Sequence, residues 1–128
     1  SNSDKAGSTT RIKHVLLVED EGEMCLLLNL ILDKKNLRVD HVKTLTGATA
    51  FLKEQQPDLI LLDNRLPDGF GIDLIGYVKA HCPATKIIVI SGVDKAAEDF
   101  ALEIGADSFL SKPFSKAALL ESVDKLLN

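Results

Sequence analysis

The sequence is poor in the residues that staple small folds or hold metals through sulfur. Its 128 residues include two cysteines, one methionine, one tyrosine and no tryptophan. Cys25 and Cys82 form no CxxC pair, which disfavours a disulfide framework and a zinc site. Both fall on expected helices, where they read as buried apolar packing. His14, His41 and His81 are scattered without ligand spacing, so no chemistry is assigned to them. No apolar run is long enough to span a bilayer. Residues 1–10 are polar and lack the apolar core of a secretory signal; they read as a flexible leader, and the cytoplasm is the expected location. Positive charge is not in excess either, since 15 basic against 19 acidic residues give a net charge of -4. A nucleic-acid module would carry a basic stripe to neutralise phosphates, so direct nucleic-acid binding is not expected.

What is present fits one compact domain over residues 11–128, long enough to bury a core without staples. Hydrophobic residues make up 45% and charged residues 27% of the chain, an ordinary globular balance. Five short apolar runs rich in β-branched residues recur at 14–18, 37–42, 59–62, 86–90 and 108–110. Those at 15–18, 59–62 and 87–90 are continuous rather than alternating, which predicts strands covered on both faces. Between the runs lie helical patterns. Met24, Leu27, Leu28, Ile31 and Leu32 share one face by spacing. Ala97, Phe100, Ala101 and Ile104 repeat that spacing, with Gly105 as a stop. Leu119, Val123, Leu126 and Leu127 follow Ser115, an N-cap candidate. Weaker patterns cover 48–52 and 74–78. The alternation predicts an α/β fold with a doubly wound parallel sheet of five strands and right-handed crossovers. The flavodoxin-like (βα)5 arrangement, strand order 2-1-3-4-5, is expected from known sheets of this kind rather than from the residues themselves.

In such sheets ligands sit beyond the carboxyl ends of the strands, at the switch point. The polar residues collect there. Strand 1 runs into Glu19-Asp20-Glu21, strand 3 into Asp63, strand 4 into Ser91-Gly92, and strand 5 into Ser111-Lys112-Pro113. Each signal has a bland reading as a cap, a turn or a loop start; their convergence on one crevice does not. Carboxylates gathered there repel one another, and a hard cation relieves the repulsion. Mg²⁺ prefers one or two carboxylates completed by water and phosphate oxygens, and Lys112 is a point-charge phosphate binder. The pattern is that of metal-assisted phosphoryl transfer. Neither GxGxxG nor a P-loop follows the first strand, which removes a nucleotide-binding reading.

Over about residues 12–127 the chain resembles a response-regulator receiver domain of two-component signalling. The matching residues are Glu19-Asp20, the segment from Leu59 through Asp63 to Gly69, Ser91-Gly92, Gly105-Ala106-Asp107, Phe109 and Lys112-Pro113-Phe114. The resemblance implies that Asp63 is the phosphoacceptor. It implies that Asp20, Asp63 and the Arg65 backbone carbonyl hold Mg²⁺, with Glu19 acting through water. Ser91 and Lys112 would contact the phosphoryl oxygens, Lys112-Pro113 would be cis, and Ser91 and Phe109 would form the switch. A sensor histidine kinase or histidine phosphotransfer protein would be the donor, and a downstream effector or output domain the recipient of the signal. Around the places where many DNA-binding members carry dimer-pairing basic residues in the last helix, this chain has Ala117, Ser122 and Asp124, so a monomer or a weak phosphorylation-dependent dimer is expected. Two other readings compete. A phosphatase with an aspartyl-phosphate intermediate favours Asp-x-Asp after the first strand, which is Glu19-Asp20-Glu21 here. A phosphorylation-independent interaction module of the same fold predicts the loss of site residues, and none is lost.

Overall fold

The structure is a computed structural model and describes residues 11–92 and 94–128. The expected leader at residues 1–10 lies outside them. Five strands, β1 (Lys13–Val18), β2 (Leu37–Val42), β3 (Leu59–Asp63), β4 (Lys86–Ser91) and β5 (Ser108–Ser111), alternate with five helices, α1 (Gly22–Leu32), α2 (Leu45–Glu54), α3 (Ile75–His81), α4 (Lys95–Glu103) and α5 (Lys116–Leu127). The strands form one parallel sheet in the order β2-β1-β3-β4-β5, the flavodoxin-like order expected. A second, two-stranded antiparallel ladder pairs Arg65–Leu66 with Gly69–Phe70.

The continuous apolar runs have the two-sided burial that their composition implies. In β1, β3 and β4, Leu16, Val18, Ile60, Leu62, Ile87 and Val89 face a core shared with α2, α3 and α4. Their neighbours Val15, Leu17, Leu59, Leu61, Ile88 and Ile90 face the opposite core against α1 and α5. A period of two along a strand sends successive side chains to opposite faces. An unbroken apolar run therefore needs a helical layer on each side.

Local signals set the helix ends. Thr44, Asp94 and Ser115 cap α2, α4 and α5 by accepting N–H bonds from Gly47, from Ala96 and Ala97, and from Ala118. Helix α4 stops as Gly105 turns to a φ of 123°. The Gly105 N–H then bonds the Leu102 carbonyl and the Ala106 N–H the Ala101 carbonyl, the pairing that satisfies the orphan carbonyls of a helix end.

Two expected helix faces are corrected by the packing. In α1 the buried set is Cys25, Leu28, Ile31 and Leu32, while Leu27 is 45% exposed. Apolar side chains occupy most of this helix, so spacing alone had several faces to choose from. In α4 it is Ala101 that is buried, and Phe100 is half exposed. Cys82 follows α3 as its C-cap residue instead of lying inside it, and both cysteines are buried and free. Among the described residues no helix is long and apolar enough to cross a membrane.

Candidate functional site

The polar residues at the carboxyl ends are held in register by the sheet. β3 and β4 each run one residue further than their apolar runs, which brings Asp63 and Ser91 into the ladder. Asp63 lies opposite Ile90, and the Asn64 N–H donates to the Ile90 carbonyl at 3.0 Å. Ser91 lies opposite Ser111, and the Lys112 N–H donates to the Ser91 carbonyl at 2.7 Å. On the other flank the Glu19 N–H donates to the Val42 carbonyl at 3.1 Å, so the acidic segment after β1 is tied to the end of β2. The Lys112–Pro113 peptide is cis, as the resemblance implies.

Carboxylate oxygens of Glu19, Asp20 and Asp63 all lie within 4.8 Å of one another. Glu19 and Asp63 are buried, whereas Asp20 is exposed at the mouth. Lys112 Nζ donates to Asp63 Oδ1 at 2.7 Å and stands 4.0 Å from Glu19 Oε1. The Arg65 N–H donates to the other Asp63 oxygen at 3.0 Å. One ammonium therefore serves a crowd of carboxylates. Burial pushes the Glu19 carboxyl above its ordinary range, and the charge of Asp63 adds to the push, against the Glu21 N–H bond and Lys112. Burial pulls the Lys112 ammonium down, but its hydrogen bond to Asp63 and the charges of Asp63 and Glu19 outweigh this and raise it.

Glu19 Oε1 is buried with no hydrogen-bond partner. A buried carboxylate oxygen left unpaired is costly. Together with the all-oxygen donor set, it fits the cluster to a hard divalent cation such as Mg²⁺.

Other residues shape the site in roles that the sequence does not assign. A Cβ built on Gly71 would meet the Asp63 carbonyl oxygen at 2.2 Å, so the chain after the site can pass the Asp63 backbone only as glycine. Asn64 fastens the same segment, its carbonyl accepting from the Gly71 N–H at 2.9 Å and its side-chain oxygen from the Ile72 N–H at 3.1 Å. His41 Nε2 lies 2.6 Å from the Glu19 carbonyl oxygen and 3.0 Å from Cys25 Sγ. The Cys25 thiol donates to that carbonyl at 3.3 Å. No local pattern links position 41 to position 19; only the pairing of β1 with β2 does. Phe109 is half-buried against the core on the α4 side, and the Arg65 side chain is exposed.

A buried, lysine-paired aspartate at the switch point of a doubly wound sheet, with an acidic pair beside it, defines a phosphoacceptor domain. Such a domain promotes its own phosphorylation and dephosphorylation and is not an enzyme acting on outside substrates. The chain belongs to the response regulator receiver domain family, whose model matches residues 15–124. It is 36% identical over 101 residues to the KDP operon transcriptional regulatory protein KdpE of Escherichia coli, covering 79% of this chain and 45% of that protein. It is 30% identical over 118 residues to the phosphate regulon transcriptional regulatory protein PhoB of Escherichia coli, covering 90% of this chain and 52% of that protein. The chain thus spans about half the length of these relatives. Among solved structures it is similar to a CheY-like response regulator receiver domain protein from Methanospirillum hungatei, with a TM-score of 0.84, 28% identity, and coverage of 91% of this chain and 94% of that one. A response regulator from Thermotoga maritima gives a TM-score of 0.79 at 27% identity, covering 91% and 98%. The function of the domain is a Mg²⁺-dependent phosphotransfer switch.

Proposed function

We propose that Asp63 receives the phosphoryl group, from a sensor histidine kinase or a histidine phosphotransfer protein, and that the signal passes to a downstream effector or output domain. The observation that carries this reading is the buried Asp63 carboxylate held between the Glu19-Asp20 pair and the Lys112 ammonium, 2.7 Å from its Oδ1. In the proposed assignment Asp20, Asp63 and the Arg65 carbonyl hold Mg²⁺ and Glu19 acts through water. Bound there, Mg²⁺ supplies the positive charge that offsets the phosphoryl oxygens.

An Asp63 carboxylate oxygen attacks phosphorus in line while the phosphorus–nitrogen bond of the donor phosphohistidine breaks, and the departing imidazole takes up a proton. Lys112 and Ser91 bind the phosphoryl oxygens, so positioning and charge do most of the catalytic work. The phosphorylated side chain gains about 1 unit of negative charge or slightly less over the carboxylate, as other phosphorylated groups do near neutral pH. Ser91 then turns to the phosphoryl group and Phe109 moves into the space it leaves, a two-state change biased by a local charge. The exposed Leu26, Leu27 and Leu30 on α1, the helix that leaves the acidic loop, offer an apolar surface beside the crevice for a donor helix.

Intact-mass measurement after incubation with Mg²⁺ and acetyl phosphate tests the reading. A phosphoryl adduct is expected on the parent chain and neither on Asp63→Asn nor without Mg²⁺. No adduct on the parent would favour the phosphorylation-independent module.

A further inference from the structure

The loop that leaves Asp63 is tied to the start of α2, a helix that shares its side of the sheet. Pro67 and Asp68 form the tip between Arg65–Leu66 and Gly69–Phe70. The Asp68 carboxylate accepts from the Leu45 N–H at 2.8 Å, the Thr46 N–H at 3.0 Å and the Thr46 hydroxyl at 2.9 Å. These are the first two N–H groups of α2, and Thr44 Oγ1 takes the third, from Gly47, at 2.9 Å. A helix start leaves such donors without partners inside the helix, and its dipole favours a negative group there. Asp68 therefore caps α2 from a different part of the chain. The same contacts hold its carboxyl below the usual carboxylate range, the Leu45 N–H bond first.

The cap completes a ring around the metal corner. α2 starts three residues after Val42, whose carbonyl holds the Glu19 N–H. From the first turn of α2 the ring crosses through Asp68 to the hairpin and returns to Arg65, whose N–H holds Asp63 Oδ2 at 3.0 Å. Both acidic strand ends are thus referenced to one helix start.

We propose that Asp68 is a positioning residue for the Mg²⁺ site, holding the hairpin so that Asp63 and the Arg65 backbone keep the spacing the cation requires. This rests on the receiver reading above and adds a residue outside the residues assigned there. Partners that orient metal ligands cost about 10-fold or more in affinity when removed.

The test compares Asp68→Ala with Thr44→Val, which removes a cap from the same helix without touching the hairpin. Mg²⁺ affinity is read by NMR titration without phosphodonor, and amide exchange at Arg65 is read in metal-free protein. Asp68→Ala is expected to weaken Mg²⁺ binding about 10-fold and to speed Arg65 exchange, with Thr44→Val leaving both near the parent values despite a comparable loss of thermal stability. Unchanged affinity in Asp68→Ala, or equal weakening in both variants, would overturn the proposal. A parent chain that takes up no Mg²⁺ would instead overturn the receiver chemistry, and the exchange measurement, which needs no metal, tells the two failures apart.

Discussion

Lys112 Nζ and Asp63 Oδ1 are 2.7 Å apart, with the aspartate buried and the lysine reaching it from the far edge of the sheet. The two are 49 residues apart in sequence. β4 bridges them, pairing with β3 on one side and β5 on the other. The ammonium stands on the carboxylate proposed to receive the phosphoryl group, where it offsets charge both before and after transfer. Lys112→Ala is expected to slow phosphorylation by acetyl phosphate about 100-fold, the scale for losing one aimed charge-stabilising group. Time-resolved intact mass at saturating Mg²⁺ checks this, and a rate within threefold of the parent, roughly 0.7 kcal/mol, would remove the role.

Glu19 has a raised carboxyl and an oxygen with no hydrogen-bond partner. A folded-state value above the unfolded one means the folded chain binds the proton first as pH falls. The cost is then full at neutral pH and is relieved as pH drops through the raised value toward the ordinary carboxylate range. Glu19→Gln should stabilise the metal-free protein at neutral pH by about 1 kcal/mol, and the gain over the parent should shrink as pH falls toward about 4.3. Added Mg²⁺ should stabilise the parent more than the variant. Paired calorimetric scans across pH, with and without Mg²⁺, measure all three effects; a variant less stable than the metal-free parent at pH 7 would contradict the argument.

Gly71 has no room for a methyl group, since its Cβ would also come within 3.0 Å of Leu62 Cγ. The obstacle is backbone, which cannot rotate away. Gly71→Ala is expected to destabilise the domain by about 3 kcal/mol, the upper end for forced overpacking. Denaturant unfolding reads the loss, and the control Gly76→Ala, where nothing lies within 4 Å, should lose nothing.

The correction to α1 is also measurable. Leu28 is fully buried, and Leu26 on the same helix is 62% exposed. Truncating Leu28 to alanine should cost about 3 kcal/mol, whereas Leu26→Ala should change stability by under about 0.5 kcal/mol. Equal losses from the two would mean that the packing described for this helix is wrong.

The sequence alone determined the class of fold and the chemistry at the strand ends. Continuous apolar runs can be satisfied only by a sheet covered on both sides. Glu19, Asp20, Asp63 and Ser91 come at the ends of those runs and Lys112 just past the fifth strand, so their convergence needed only the topology. The same logic reached the Ser115 cap and the Gly105 stop, because each is a local backbone requirement met within a few residues. The face of α1 was beyond it, since a helix apolar nearly all round has no single periodic answer and neighbouring elements choose the buried side. Gly71, His41 and Asp68 act on Asp63, Glu19 and α2 across the fold, at contacts no spacing rule encodes. Which polar residues meet at the strand ends was set by order along the chain; how tightly they are held was decided only when β1, β2 and β3 came together in register and brought the loops at their ends within hydrogen-bond reach.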